Sequence, residues 1–140
     1  MSSRKVQILN EGPVLYTDDN EDDLFLLSLV FKQSNVKNEL LLFSSGHDIL
    51  DYLHETAVGD KPMPALILMD INMPEMDGYE VVQKIRGQDP FIEVPSIVML
   101  TNSCDPADMK KAVEVGADGY QVKLFGLSNY IQFINSLLPA

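Results

Sequence analysis

The sequence has 140 residues, enough for one domain with its own core and without disulfides or a structural metal. Apolar residues make up 46% of it, which excludes an intrinsically disordered chain. Its 21 acidic residues outnumber its 10 basic ones, for a net charge of −11, so neither nucleic acid nor an anionic membrane is an expected partner.

Five short apolar runs are predicted as β-strands. In chain order they cover residues 14–17, 40–43, 65–69, 96–100 and 119–122. The third and fourth are apolar throughout, which is typical of parallel strands covered on both faces. Residues 1–12 are predicted to be a flexible N-terminus to a single domain that spans 1–140 and has its core at 13–138.

Each predicted strand is followed by a segment whose apolar residues recur every three to four positions, as a helix packed on one face requires. These segments are 22–33, 46–55, 78–86, one with the stripe Met109, Ala112 and Val113, and one from Leu127 to Leu138. The alternation predicts an α/β fold, a doubly wound sheet of five parallel strands with right-handed crossovers. In such folds the functional site lies beyond the carboxyl ends of the strands.

Polar residues stand where four of the predicted strands end. They are Asp18 and Asp19 at the first strand, Asp70 at the third, Thr101 at the fourth and Lys123 at the fifth. Carboxylates about 4 Å apart repel by roughly 4 kcal/mol per pair at an effective dielectric constant of about 20, so a bound cation is expected. Oxygen ligands without a nearby His or Cys favour Mg²⁺ over Zn²⁺.

This set of groups fits phosphoryl transfer to a carboxylate. On this hypothesis Asp70 is the nucleophile and becomes an aspartyl phosphate. Asp18 and Asp19 position Mg²⁺, while Lys123 and Thr101 bind the oxygens of the new phosphoryl group.

Residues 68–78, Leu-Met-Asp-Ile-Asn-Met-Pro-Glu-Met-Asp-Gly, closely resemble the phosphoacceptor loop of bacterial response regulators. The Asp18–Asp19 pair, Thr101 and residues 116–123 resemble the other signatures of receiver domains, in the same order. The resemblance covers nearly the whole chain and implies a flavodoxin-like (βα)5 fold. It also implies two-component signalling: a histidine kinase or phosphotransfer protein phosphorylates Asp70, which switches binding to a downstream protein. Such a domain is a switch, not an enzyme beyond self-phosphorylation and self-dephosphorylation.

The resemblance further implies roles by position. Asn72 offers its backbone carbonyl to the metal, which completes a ligand set with Asp18, Asp19 and Asp70. Tyr120 is the switch aromatic, which turns inward when Thr101 moves toward the phosphoryl group. Asn72 and Ser103 line the path of the hydrolysing water.

Two positions depart from the family pattern. Receivers usually have a cis proline after the functional lysine, whereas Leu124 follows Lys123 here, and a cis bond before a non-proline residue costs about 2.5–4 kcal/mol. Asn102 stands where many receivers have a small residue, which bears on access for a partner. Three features make the sequence resemble stand-alone regulators that are paired with phytochrome-type kinases. They are Leu124 in place of proline, the chain length and the long loop before the third strand.

Two other functions remain open. A receiver-like binding module would keep the fold without phosphorylation, and Leu124 leaves room for it. A Mg²⁺-dependent phosphatase with an aspartyl nucleophile typically has a second Asp two positions later, where Asn72 stands here. A flavin carrier of similar topology is disfavoured because the acidic first turn would repel a phosphate.

The remaining polar residues are expected to be structural or exposed. Residues 21–23 are expected to cap and solvate the first helix, and Asp77 to cap the third. His47 and His54 are expected on the exposed side of the second helix. Cys104 is the only cysteine, and no segment resembles a signal peptide or the ~18–20 apolar residues of a membrane helix, so a cytoplasmic protein is expected.

Overall fold

The computed structural model describes residues 6–139, in which five strands alternate with five α-helices. The elements in chain order are β1 (Val14–Thr17), α1 (Glu21–Gln33), β2 (Leu40–Phe43), α2 (Gly46–Ala57), β3 (Leu66–Asp70), α3 (Gly78–Arg86), a 3-10 turn (Asp89–Phe91), β4 (Ser96–Thr101), α4 (Pro106–Val115), β5 (Gly119–Val122) and α5 (Leu127–Asn135). The longest helix has 13 residues, and across the described range no helix combines the length and apolar character that a bilayer span needs.

The strands form one parallel sheet in the order β2-β1-β3-β4-β5, so the predicted doubly wound, flavodoxin-like class is confirmed. The strand order reverses between β1 and β3, and ligands of open α/β sheets bind in the crevice beyond such a reversal. The register places Thr17 beside Met69 and Asp70 beside Leu100. The ends of β1, β3 and β4 therefore lie side by side.

Helices cover both faces of the sheet. Because successive side chains of a strand point to opposite faces, Ile67 and Met69 pack with α2, α3 and α4, whereas Leu66 and Leu68 pack with α1 and α5. All four of these side chains are fully buried. Burial of each such side chain contributes about 1.5–3 kcal/mol, so the core holds the end of β3 in a fixed position.

Capping side chains begin two of the helices that leave the carboxyl edge. The Asn20 side chain accepts a hydrogen bond from the N–H of Asp23 at the start of α1. The Asp77 side chain accepts one from the N–H of Glu80 at the start of α3, which confirms the predicted cap. Each cap satisfies a backbone donor that the helix itself leaves unpaired.

The predicted stripe of α4 needs correction. Met109 and Val113 are 42% and 41% exposed, and the residues that α4 buries are Ala112 and Val115. The helix packs against α3 and β5 along one narrow side, and residue spacing does not specify which side of a helix its neighbours cover.

The packed region also extends beyond the predicted start of the core at residue 13. Ile8 is buried, and its N–H donates to the carbonyl of Leu137 over 2.7 Å. This contact ties the chain before β1 to the segment after α5. Residues 1–5 of the predicted flexible N-terminus lie outside the described residues.

Candidate functional site

Carboxylates from two neighbouring strands meet at the carboxyl edge of the sheet. Asp18 and Asp19 follow β1, and Asp70 is the last residue of β3. One carboxylate oxygen of each lies within 4.8 Å of the other two. Asp18 and Asp70 are buried and Asp19 is exposed, so the cluster opens to solvent on one side.

Asp18 is held by three hydrogen-bond donors. The hydroxyl of the buried Tyr16 and the ammonium of Lys123 donate to Oδ2, and the N–H of Asn20 donates to Oδ1. Burial and then the charge of Asp18 raise the pKa of Tyr16, so its hydroxyl stays protonated and remains a donor. Since a carboxylate accepts about four hydrogen bonds, Asp18 is fixed and has little free capacity.

Lys123 reaches the carboxylates from the end of β5. Its backbone N–H donates to the carbonyl of Thr101 over 2.7 Å, which fixes the start of the side chain. Its Nζ lies 2.9 Å from Asp18 Oδ2, 2.9 Å from Asp23 Oδ2 and 3.1 Å from Asp70 Oδ1. One ammonium therefore bridges three carboxylates.

The bond between Lys123 and Leu124 is trans, because the cis bonds among the described residues are limited to the one before Pro95. A trans bond at this position thus still brings the ammonium to the site. Burial lowers the pKa of Lys123, but its hydrogen bonds to Asp23 and Asp18 outweigh burial and raise the pKa above the ordinary value. Lys123 is consequently a permanent cation at neutral pH.

Negative charge exceeds positive charge in this region. We call it the acidic rim, and it consists of Asp18, Asp19, Asp23, Asp70 and Lys123. Burial and the charge of Asp18 raise the pKa of Asp70 to about 6, against the opposing effect of Lys123. A group of oxygen ligands with surplus negative charge and one solvent-exposed member fits a divalent cation.

Gly78 allows α3 to begin against the backbone of Asp70. A Cβ atom on Gly78 would lie 2.3 Å from the carbonyl oxygen of Asp70 and 2.9 Å from the Cα of Ile71, so a larger residue requires the backbone to move. The N–H of Gly78 also donates to the carbonyl of Ile71 over 2.8 Å. Asn72, in the loop that this contact closes, is exposed and stands two residues after Asp70.

Thr101 and Tyr120 are connected through Ser103. The N–H of Ser103 donates to Thr101 Oγ1 over 3.1 Å, and the hydroxyl of Tyr120 donates to the carbonyl of Ser103 over 2.8 Å. The Ser103 hydroxyl donates to the carboxylate of Asp108 in α4 over 2.6 Å. Thr101, predicted to bind the phosphoryl group, and Tyr120, the predicted switch aromatic, therefore both bond to Ser103.

The sequence did not identify two residues of this region. Asp23, predicted to be a solvated helix-start residue, contacts Lys123 instead. No signal in the sequence separates it from Asp22, because both stand in the first turn of α1 and the packing of that helix decides which of them faces Lys123. Tyr16 gave no signal, because an aromatic residue in a buried strand is an ordinary core residue. His47 is exposed on α2, as predicted.

Residues 14–135 match the family model described as the response regulator receiver domain. The chain is 28% identical to the response regulator Rcp1 of Synechocystis sp. over 125 residues, which cover 89% of this chain and 84% of that protein. The Mn²⁺-bound structure of Rcp1 has a TM-score of 0.75 and 27% identity, and the match covers 92% of this chain and 99% of that one. The phosphorylated cyanobacterial phytochrome response regulator RcpA has a TM-score of 0.77 and 25% identity, with 91% of each chain covered. The manganese and the phosphorylation belong to those two proteins.

Proposed function

This chain belongs to the response regulator receiver domain family, and on that basis we propose that Asp70 is its phosphoryl acceptor. The observation that carries the proposal is the position of Asp70 at the end of β3, buried beside two further carboxylates and 3.1 Å from the ammonium of Lys123. These are the groups that a phosphoryl transfer to a carboxylate requires: a nucleophile, a place for a metal and a fixed cation.

The acidic rim would hold Mg²⁺ through Asp19, Asp70 and the backbone carbonyl of Asn72. Asp18 has three donors already, so it would contribute its remaining lone pair or act through a water. Bound Mg²⁺ would offset the surplus negative charge and neutralise charge on the phosphoryl oxygens. Support for a divalent metal comes from the oxygen-only donor set and from the Mn²⁺-bound relative.

In the transfer, a carboxylate oxygen of Asp70 attacks phosphorus and forms an O–P bond. The bond between phosphorus and the donor, a histidine nitrogen in a kinase or an acyl oxygen in acetyl phosphate, breaks, and the donor keeps the electron pair. The ammonium of Lys123, which lies 3.1 Å from Asp70 Oδ1, then donates a hydrogen bond to one phosphoryl oxygen, and the Thr101 hydroxyl binds another.

The phosphoryl group would act by favouring one of two conformers of the β4–α4 loop and Tyr120. Moving such an equilibrium from 1:99 to 99:1 takes about 5.5 kcal/mol of differential stabilisation, and new bonds from Lys123, Thr101 and Mg²⁺ are of that order. The readout is binding to a downstream protein. The phosphoryl donor is a histidine kinase or a phosphotransfer protein in the cytoplasm, and the similarity to Rcp1 and RcpA favours a phytochrome-type kinase.

The two alternatives have less support. Leu124 left room for a binding module without phosphorylation, but Lys123 Nζ lies 3.1 Å from Asp70 despite the missing proline. A phosphatase would need an acid/base group at position 72, and the amide of Asn72 cannot exchange protons in that way.

The test is incubation with acetyl phosphate and Mg²⁺, followed by intact-mass measurement. The expected result is a gain of one phosphoryl group by the unchanged protein and no gain by Asp70→Asn. No gain by the unchanged protein, under conditions in which another receiver domain is phosphorylated, would remove the proposal.

A further inference from the structure

The carboxylate of Asp23 accepts a hydrogen bond from the ammonium of Lys123. Its Oδ2 lies 2.9 Å from Nζ, the same distance as Asp18 Oδ2, and the Asp23 side chain is 34% exposed. An ammonium has three donors and no acceptor, and the hydrogen bonds to Asp18 and Asp23 use two of them. Asp70 Oδ1 lies 3.1 Å from the same Nζ, so the third donor is left for Asp70 or for an incoming phosphoryl oxygen.

Asp23 itself starts from a fixed point. Its backbone N–H donates to the Asn20 side chain over 3.0 Å, which is the cap of α1. Its neighbour Asp22 lies in the same first turn, but its side chain is exposed. Asp23 is not one of the three carboxylates whose oxygens lie within 4.8 Å of one another, so its contact in this region is with Lys123 and not with the metal position.

The backbone holds Lys123 only at the base of its side chain. The backbone N–H of Lys123 is bonded to Thr101, but the next peptide bond is trans, and Phe125 is 92% exposed. The backbone hydrogen bond therefore fixes the base of the side chain, and the carboxylates of Asp18 and Asp23 hold its charged end.

We propose that Asp23 is a positioning residue, which holds the Lys123 ammonium beside Asp70 and leaves its third N–H for the phosphoryl group. This inference rests on the proposed function, in which Lys123 binds the phosphoryl oxygens. When the phosphoryl group arrives, the third N–H binds it, and the hydrogen bonds to Asp18 and Asp23 stay in place. Asp23 acts through Lys123 and does not touch the reacting atoms.

The test compares Asp23→Asn with Asp22→Asn. The two variants lose the same charge from the same turn of α1, so they alter the helix dipole and the net charge alike. In Asp23→Asn the rate of phosphorylation by acetyl phosphate at saturating Mg²⁺ is expected to fall about tenfold, the effect of one lost hydrogen bond between charged groups. The Mg²⁺ dissociation constant should match that of Asp22→Asn, and Asp23→Glu should recover most of the rate.

A second readout does not depend on phosphorylation. An amine-reactive ester followed by peptide mass spectrometry measures how accessible the Lys123 ammonium is. Labelling of Lys123 should rise severalfold in Asp23→Asn and stay unchanged in Asp22→Asn. Equal labelling of Lys123 in the two variants overturns the inference. It is also overturned if Asp23→Asn loses Mg²⁺ affinity by the same factor as it loses phosphorylation rate. If the unchanged protein accepts no phosphoryl group, the proposed function falls, and the labelling result alone decides whether Asp23 holds Lys123.

Discussion

Arg86 and Asp118 form a buried ion pair at the amino ends of β4 and β5, at the opposite edge of the sheet from the acidic rim. Arg86 Nη2 lies 2.8 Å from Asp118 Oδ2, and their side chains are 10% and 4% exposed. We call this contact between a cation and a carboxylate the edge pair. In the acidic rim, there are four carboxylates and one ammonium, which contacts three of them.

Both members of the edge pair also bond to backbone groups. Arg86 Nε and Nη1 donate to the carbonyls of Gly116 and Phe91 over 3.0 and 3.1 Å, and Asp118 accepts from the N–H of Ile97 over 2.9 Å. Buried charges are stable when paired and fully hydrogen-bonded. The edge pair is ion-paired and hydrogen-bonded in this way, and it connects four segments of the chain. In the acidic rim, the carboxylates outnumber the one ammonium. This surplus of negative charge marks the rim as a place for an added cation.

Removing the cation of the edge pair should have the largest effect. Arg86→Ala removes the cation that contacts the buried Asp118 carboxylate, which costs about 3–5 kcal/mol of unfolding free energy. Urea denaturation with and without Mg²⁺ checks this, and Mg²⁺ should not restore the loss. The exposed neighbour Lys84→Ala serves as the control. A loss under about 1 kcal/mol, as for a surface pair, would contradict the comparison.

Removing a negative charge from the acidic rim should instead increase the free energy of unfolding. The pKa of Asp70 is about 6 in the folded protein and 3.8 ordinarily, so Asp70→Asn should stabilise the metal-free protein at pH 7 by about 3 kcal/mol. Below pH 3.8 the carboxyl is protonated in the folded and unfolded chains alike, and the gain disappears. Between pH 3.8 and about pH 6, Asp70 is deprotonated in the unfolded chain but still protonated in the folded one. The stability of the unchanged protein therefore falls as pH rises through this range. Unfolding curves across this pH range measure the gain, and a gain independent of pH would contradict the assignment.

Adding Mg²⁺ should stabilise the protein through the acidic rim alone. At a concentration one hundred times the dissociation constant, the expected gain is about 2.7 kcal/mol. Asp19→Asn removes an exposed carboxylate of the cluster and should abolish most of it, while Asp22→Asn should keep it. Thermal unfolding with increasing Mg²⁺ distinguishes the two variants. Equal gains in both would place the cation elsewhere.

The smallest effect is expected where a pair is exposed. His47 Nε2 lies 3.9 Å from Glu75 Oε2, and the side chains are 61% and 80% exposed. His47→Ala should change the unfolding free energy by less than about 0.5 kcal/mol in urea denaturation. A larger change would mean that pairing alone, without burial, stabilises this fold.

The sequence predicted the acidic rim better than the surroundings of its side chains. Strand ends are read from apolar runs, and parallel strands bring their carboxyl ends together, so Asp18, Asp70 and Lys123 could be expected to meet. Asp23 could not be separated from Asp22, because which residue of a helix turn faces a lysine one hundred positions later depends on how α1 packs. Met109 was misplaced for the same reason.

The edge pair was not predicted either. Arg86 and Asp118 stand at the ends of apolar segments, where charged residues are usually solvated. Their pairing depends on the position of the last residue of α3 next to the segment before β5, which is a tertiary arrangement. Local patterns therefore indicate strands and helices, whereas the partners of buried charges follow from the assembled fold.

The central claim is that Asp70 carries the phosphoryl group, and the most direct test is to locate that group. Borohydride reduces an aspartyl phosphate to homoserine, which peptide mass spectrometry assigns to one position after treatment with acetyl phosphate and Mg²⁺. The account predicts homoserine at position 70 and at none of the other aspartates of the acidic rim. Homoserine at position 18, 19 or 23 with Asp70 intact would contradict it.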